Sequence, residues 1–200
     1  MLIRPHDAST DEAQWRSFVH QQGFGHFAVS GAGGIPVLVP TQFVLLDDRV
    51  VFHLAKPNPV FAALAATPQA VLSIAGDWAY IPGAWRMVGD EDPSLGVPTT
   101  YYGAVQLRGP VTVTDEIEEI AAILRLQLAD VEPDGGLQDP LVHTKRFAAI
   151  RGIEMMIDDA RAKFKYGANV DIEHREAAAE RLRARGGPGD LAAASRVPRG

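Results

Sequence analysis

The stretch RAKFKYGANV, residues 161–170, carries cationic side chains at alternate positions: Arg161, Lys163 and Lys165. In an extended strand alternate side chains point to the same face, so these three charges would lie side by side. Such a row suits an anionic ligand, and a solvated edge strand is the alternative interpretation. The residue types alone leave both open.

A second candidate anion site lies in FHLAKPNP, residues 52–59, where His53 and Lys56 stand at the end of a predicted strand. Asn58 and Pro59 then open a predicted helix, with the asparagine as its cap. The free N–H groups and the dipole at a helix start favour negative charge, so Lys56 and Asn58 are candidate ligands for an anion. The alternative is that Asn58 only caps the helix and Lys56 is solvated.

Hydroxyl groups and aromatic rings cluster in PTTYYGAVQ, residues 98–106, at Thr99, Thr100, Tyr101 and Tyr102. This combination suits a planar ligand, through ring stacking and edge hydrogen bonds. Tyr80, in GDWAYIPGAW, adds another ring from a neighbouring predicted strand. Because Thr and Tyr are also strand formers, ordinary β-propensity explains the pattern equally well.

Metal chemistry has little support in the sequence. The six histidines show neither H-E-x-x-H nor i, i+4 pairing, and the chain has no cysteine, which excludes disulfides, thiolate nucleophiles and Cys-ligated metals. A single axial imidazole on a haem iron needs no such spacing, so haem binding through one histidine remains open.

Charge is distributed unevenly along the 200 residues, whose formal net charge is −6. Residues 1–160 carry ten Lys and Arg against twenty Asp and Glu, whereas residues 161–200 carry nine against five. A body this acidic repels a phosphate backbone, which argues against general nucleic-acid binding. The basic C-terminal part is expected to lie over a local anionic site or to be solvated.

The elements that would position these residues are mainly strands. A helix is predicted over residues 10–22 with Trp15, Phe18 and Val19 on its buried face, and another over 58–68. Strands are predicted over 25–31, 34–46, 49–55, 69–76, 79–85 and 100–115, with a loop at 86–99. Further helices are predicted at 115–131 and 171–185, and one or two strands at 154–166. Many strands without βαβ alternation predict an antiparallel β-barrel with peripheral helices.

The length suits one domain with an appendage: a cofactor-binding domain over residues 1–170, followed by a C-terminal helix and a frayed tail over 171–200. The N-terminus MLIRPHDAST lacks the apolar segment of a signal peptide, and no run is long enough for a membrane span. We therefore expect a cytoplasmic protein that does not enter the membrane.

Four strings occur together in the order and at the spacing of the PaiB-like family: HLAKPNPVFAAL, GDWAYIPGAW, VPTTYYGAVQLRG and RAKFKYGANVDIEHREAAAERL. The chain resembles this family over about residues 1–185. Its members are usually described as FMN-binding negative transcriptional regulators. The resemblance implies a split β-barrel related to pyridoxamine-phosphate oxidases and flavin reductases. It also implies a homodimer with cofactor sites at the subunit interface and a small-molecule substrate.

The resemblance also implies roles for particular residues. Lys56 and Asn58 would approach the FMN phosphate, with His53 on the same strand. Lys163 and Lys165 would form a basic pair facing the cofactor. Thr99, Thr100 and Tyr101 would line the flavin or its substrate side, with Tyr80 nearby. The sequence departs from the family at YGAN, residues 166–169, which replaces a Ser-Gln-Asn-like stretch, and at Gln42, where many relatives carry a histidine.

Three functions follow from this resemblance. The first is an FMN-dependent oxidoreductase acting on a small molecule, in which the cofactor carries the redox chemistry. The second is a haem enzyme of the kind that closes a nitrogen–nitrogen bond in piperazic acid, with His53 as axial ligand and Lys163 and Lys165 meeting the propionates. The third is a transcriptional regulator, although the sequence contains no helix-turn-helix with a basic recognition helix. Whether the protein is an enzyme is left open by the sequence.

Overall fold

Regular structure in residues 1–198, the part that the computed structural model describes, consists of eight strands, six α-helices and short 3-10 turns. The strands are β1 (Phe24–Val29), β2 (Val37–Gln42), β3 (Val44–Leu45), β4 (Arg49–Ala55), β5 (Gln69–Ile81), β6 (Thr99–Thr114), β7 (Ile150–Met156) and β8 (Asp159–Lys165). The helices are α1 (Glu12–Gln22), α2 (Val60–Ala66), α3 (Ile117–Val131), α4 (Thr144–Phe147), α5 (Ile172–Arg185) and α6 (Asp190–Ser195).

The sheet follows the hydrogen-bonded order β2-β1-β5-β6-β7-β4-β3, and β8 pairs with β6. The pairs β1–β2, β1–β5, β3–β4, β4–β7 and β6–β7 are antiparallel. Antiparallel neighbours can be joined by short turns and need no crossover helix. This agrees with the predicted antiparallel sheet with helices at its periphery.

Chain contacts divide the protein into two units, each made of separate segments. Unit 1 contains residues 1–18, 75–105 and those from 161 onward, and unit 2 contains residues 19–74 and 106–160. The long strands β5 and β6 therefore each contribute residues to both units.

Unit 2 has an aromatic and aliphatic core under the amphipathic helix α3. Phe27 on β1 and Phe52 on β4 are fully buried and pack edge to face with ring centroids 5.0 Å apart. Helix α3 buries Ile120 and Ala121, which pack with Phe147 of α4. Its first turn carries Glu118 and Glu119, whose charges suit the positive end of the helix dipole.

Unit 1 has its own core, in which Phe18 of α1 packs edge to face on Phe164 of β8 at 5.3 Å. The N-terminal segment is fixed to β8 by polar contacts. Arg161 donates to the carbonyl of Met1 at 2.9 Å, and Ala8 forms an isolated antiparallel bridge with Lys163. Helix α5 ends at Gly186, whose φ of 60° is the left-handed conformation that glycine adopts most readily.

Most predicted elements are present, and three differ. Residues 69–81 form one strand, β5, without the gap predicted at Asp77 and Trp78, and the end of the predicted strand over 79–85 is a 3-10 turn at Gly83–Arg86. The predicted strand over 34–46 is two strands: β2 pairs with β1, and β3 forms the predicted hairpin with β4. The predicted loop after residue 86 contains a 3-10 turn at Pro93–Leu95.

The frayed tail predicted within residues 171–200 is wrong for residues 190–195, which form helix α6. Asp190 at the start of α6 is 1% exposed and accepts two hydrogen bonds from Arg185, at 2.7 and 2.6 Å. This buried ion pair, together with the buried Ala193 and Ala194, anchors a segment whose composition suggested disorder. Residues 199 and 200, the end of the predicted tail, lie outside the described part. The boundary at residue 170 stays a prediction.

Among the helices of residues 1–198, none is both long and apolar enough to cross a lipid bilayer.

Candidate functional site

The predicted site residues fall into two groups, one in each unit. His53, Lys56 and Asn58 belong to unit 2, at and just beyond the C-terminal end of β4. The other six belong to unit 1: Tyr80, Thr99, Thr100, Tyr101, Lys163 and Lys165. Each group is described separately below.

In unit 2, Lys56 and Arg151 converge on one carboxylate, that of Asp115, and we call these three residues the Asp115 cluster. Lys56 Nζ lies 2.9 Å from Asp115 Oδ1. Arg151 contacts the same carboxylate in a bidentate manner, with Nε 3.1 Å from Oδ1 and Nη2 3.0 Å from Oδ2. The Lys56 ammonium, and then the Arg151 guanidinium, hold the pKa of Asp115 below its usual range. Two cations share one anion, so the cluster has a net charge of about +1.

Strand register explains why these three residues meet. Lys56 directly follows β4, Asp115 directly follows β6, and Arg151 is the second residue of β7. Strand β7 pairs with both β4 and β6, with Leu54 opposite Arg151 and Thr114 opposite Gly152. Antiparallel pairing therefore brings the C-terminal ends of β4 and β6 next to the start of β7.

Asn58 acts as the predicted cap of α2. Its Oδ1 accepts a hydrogen bond from the Val60 backbone N–H at 3.0 Å. The side chain is thus engaged in its own helix start, which was the alternative interpretation of this residue. A role of Asn58 toward a cofactor phosphate stays a prediction.

His53 is held by Gln127 of α3, with Nδ1 2.6 Å from the Gln127 Oε1. An amide oxygen only accepts, so Nδ1 is the donor in this contact. Gln127 is itself buried. Helix α3 can approach this closely because Gly152, the β7 residue opposite His53, has no side chain: a Cβ there would lie 2.8 Å from Ile123 Cδ1.

A cavity of about 380 Å³ lies between α3 and the strands of unit 2. Its wall includes the apolar side chains of Val51, Ile123 and Leu126. Thr114, which directly precedes Asp115, also lines it. The volume is within the usual range for small-molecule sites, and the Asp115 cluster begins at the next residue of the chain.

In unit 1 the row of cations on β8 has partners within the protein. Lys163 Nζ donates to the carbonyl of Leu2 at 3.2 Å, lies 3.9 Å from the buried Asp7 carboxylate, and sits 5.6 Å from the Tyr102 ring centroid. Lys165 Nζ donates to Thr99 Oγ1 at 2.7 Å. Two predicted site residues, Thr99 and Lys165, are therefore brought together. That Lys163 and Lys165 face a cofactor stays a prediction.

The aromatic residues of unit 1 divide into buried and exposed. Tyr101 is buried and packs edge to face on Tyr166 with centroids 6.2 Å apart, and burial raises the pKa of Tyr101 and that of Tyr166, the latter to about 12. Gly167, at φ 85°, lies against the Tyr101 hydroxyl, so a side chain there would collide with it. Tyr80 is 48% exposed, and Thr100 is half-buried. Contact of these residues with a flavin stays a prediction.

The acidic loop after residue 86 is tied to the start of α5 by His174. Its Nε2 lies 2.9 Å from Glu91 Oε2, and its Nδ1 lies 2.8 Å from an Asp171 carboxylate oxygen. The Asp171 and then the Glu91 carboxylate raise the pKa of His174. The pKa of Asp171 is lowered, mainly by His174, and that of Glu91 is lowered by the Val88 N–H and by His174.

His174→Gln is expected to show a pH-dependent loss of stability. A raised histidine pKa stabilises the fold below about pH 6.5, and this is lost as the pH rises through the folded-state value. The lowered carboxyl pKa values stabilise above about pH 4 and are lost in acid. The melting-temperature difference from wild type should therefore be largest between about pH 4.5 and 6.5. A difference constant from pH 5 to 9 would contradict this, and the exposed His143→Gln controls for loss of an imidazole.

Three residues of unit 2 were missed by the sequence interpretation: Asp115, Arg151 and Gln127. Their partners lie 36 to 74 positions away, so no local spacing reveals them. Within residues 1–198, no cluster of three or more His, Cys, Asp or Glu side chains is arranged to hold a metal ion.

The antiparallel sheet with peripheral helices defines the chain as a split-barrel protein, as the sequence predicted. Its residues 1–159 match the family described as "Putative FMN-binding domain", and the chain belongs to that family. This confirms FMN, at the level of the family, as the predicted cofactor.

Several solved structures share this fold. The flavocytochrome Anf3 from Azotobacter vinelandii is 19% identical, with 85% of this chain and 74% of that chain covered and a TM-score of 0.61. An FAD and heme binding protein from Mycobacterium smegmatis is 19% identical, with 92% and 82% covered and a TM-score of 0.60. A conserved hypothetical protein from Mycobacterium tuberculosis is 13% identical, with 86% and 94% covered and a TM-score of 0.62. No match was found among curated protein sequences.

Proposed function

We propose that this protein binds FMN and uses it to oxidise or reduce a small molecule. The observation that carries the proposal is membership of the FMN-binding family over residues 1–159. The matched region includes His53, Lys56 and Asn58 of unit 2, and Thr99, Thr100 and Tyr101 of unit 1.

The residues of unit 2 fit the two chemical parts of FMN. The apolar part of the cavity wall suits a flat ring system, although Arg49, Glu119 and Glu154 also line the cavity. Two cations around one carboxylate suit a phosphate monoester. FMN supplies the electron or hydride transfer when bound. The chain would bind the phosphate through Lys56, orient the ring, and keep water away from it.

The test is an absorption spectrum of the purified protein and a titration with FMN. Saturable quenching of FMN fluorescence with about one FMN per chain is the expected result. Binding no tighter than to an unrelated acidic protein would overturn the proposal. Reduction of the bound flavin by NADH or NADPH would then guide the search for a substrate.

The proposal also covers the oligomeric state of the protein and its subgroup within the family. We propose that the protein belongs to the PaiB-like subgroup and acts in the cytoplasm as a homodimer with cofactor sites at the subunit interface. Light scattering after gel filtration should give a mass near 43 kDa, twice that of one 21.6 kDa chain. A 21.6 kDa particle that still retains FMN would refute an interface site. The acidic composition argues against direct DNA binding, which a gel shift at physiological salt would check.

A second candidate function, haem binding, is favoured by the His53–Gln127 hydrogen bond. Iron-ligating imidazoles usually donate the N–H of their other ring nitrogen to a fixed acceptor, which is the arrangement seen here. Two proteins of the same fold are named as a flavocytochrome and as an FAD and heme binding protein. If haem binds through His53, a Soret band should form on adding haem and shift or vanish in His53→Ala. A Soret band identical in that variant would exclude His53 as ligand.

A further inference from the structure

The Asp115 cluster has the features of an anion site that an internal carboxylate occupies. The Asp115 carboxylate receives N–H groups from two cations, with three contacts of 2.9 to 3.1 Å. Lys56, Arg151 and Asp115 are 38%, 34% and 47% exposed, so all three can be reached from solvent. A phosphate oxyanion matches the same donors, because guanidinium forks bind carboxylate and phosphate with similar geometry.

Arg151 is held in place independently of its ion pair. Its guanidinium lies 5.2 Å from the ring centroid of Phe61, a buried residue of α2. The backbone N–H of Lys56 donates to Ala149 at 2.8 Å, which fixes the chain that carries the lysine to the start of β7. Arg151 would therefore keep its position if Asp115 were displaced, and the backbone that carries Lys56 would stay in place.

We propose that Arg151 is a second phosphate-binding residue beside Lys56, and that Asp115 is an internal competitor which a phosphate monoester displaces. This inference rests on the proposed function for the identity of the ligand. Asp115 keeps the two cations together before the ligand arrives and lowers affinity, because the incoming phosphate must break three contacts. Removing the negative charge of Asp115 changes the net charge of the cluster from about +1 to about +2.

The experiment compares FMN with riboflavin, which lacks the phosphate, in the wild type and in three variants. Asp115→Asn should bind FMN about tenfold more tightly and Arg151→Ala about tenfold more weakly, with riboflavin affinity unchanged in both. Arg151→Lys keeps the positive charge but loses the bidentate guanidinium group. Its FMN affinity should therefore lie between those of the wild type and Arg151→Ala. Thermal unfolding confirms that each variant is folded.

The chain provides a matched control in Arg125, which forms the same two-pronged contact with Asp139 at 2.7 and 3.0 Å. Arg125→Ala should leave FMN affinity unchanged. The two arginine Nε–H signals can also be followed by NMR during a titration with inorganic phosphate at constant ionic strength. The Arg151 signal should shift saturably and the Arg125 signal should not.

The possible outcomes separate the inference from the proposed function. If FMN binds but neither Arg151→Ala nor Asp115→Asn changes its affinity, the inference is wrong and the proposed function stands. If phosphate moves only the Arg151 signal but FMN does not bind, the proposed function fails and the phosphate site stands. Equal shifts of both arginine signals would mean that the cluster is an ordinary surface ion pair.

Discussion

Replacing Phe52 with alanine is expected to lower the free energy of unfolding by about 3–5 kcal/mol, the usual cost of truncating a buried phenylalanine. Phe52 is fully buried at the centre of β4 and packs edge to face on Phe27. The substitution removes apolar area and leaves a cavity that neighbouring side chains can fill only in part. Urea unfolding followed by circular dichroism measures the change.

Leu38→Ala is the matched control, because Leu38 lies on β2 of the same unit and is 57% exposed. Its substitution should change the free energy of unfolding by no more than about 0.5 kcal/mol. A loss below about 1 kcal/mol for Phe52→Ala would contradict its place in the core.

Replacing Gly152 with alanine is expected to cost about 1–3 kcal/mol, as overpacking of a buried site does. It should also weaken the hydrogen bond between His53 and Gln127. The new Cβ would lie 2.7 Å from Thr114 Cγ2 and 2.8 Å from Ile123 Cδ1, so α3 must move away from the strands. Urea unfolding measures the first effect, and exchange of the His53 Nδ1–H proton in NMR measures the second.

Ile123→Val offers a rescue, because valine lacks the Cδ1 atom that the new methyl group meets. Alone it should cost about 0.5–1.5 kcal/mol. Combined with Gly152→Ala, it should cost less than the sum of the two single changes and restore slow exchange at His53. If the changes in the free energy of unfolding were strictly additive, the Ile123 side chain of α3 would not be in close contact with residue 152.

The sequence predicted strand bounds best where the local residue pattern and the pairing of the strand in the sheet favour the same structure. The alternation in RVVFHLA predicted β4 at its observed bounds, and the strand predicted over 100–115 runs from Thr99 to Thr114 as β6. The gap predicted at Asp77 and Trp78 did not occur, since pairing with neighbouring strands outweighs the poor strand propensity of Gly76 and Asp77. Helix α6 depends on the Arg185–Asp190 contact, which propensity alone does not reveal.

For the candidate site, the sequence pointed to Lys56 and His53 but not to their partners. Asp115, Arg151 and Gln127 meet them only because β4, β6, β7 and α3 assemble. The row of cations on β8 was read as a binding surface, and the structure shows Arg161 and Lys163 holding residues 1–7. A sequence pattern gives the charge and spacing of such a row, whereas the fold decides what lies opposite.

The division of unit 1 into three chain segments has a consequence during synthesis. Met1 and Arg161, which are hydrogen-bonded in the folded protein, are separated by 160 positions. At translation rates of about 5–20 residues per second, the nascent N-terminus waits about 8–30 s for its partner strand to leave the ribosome. Unit 2 is translated in full before residues 161–165 of β8, so it can fold on the ribosome while Phe18 still lacks Phe164. A chaperone that shields residues 1–18 in this interval should therefore raise the yield of folded protein.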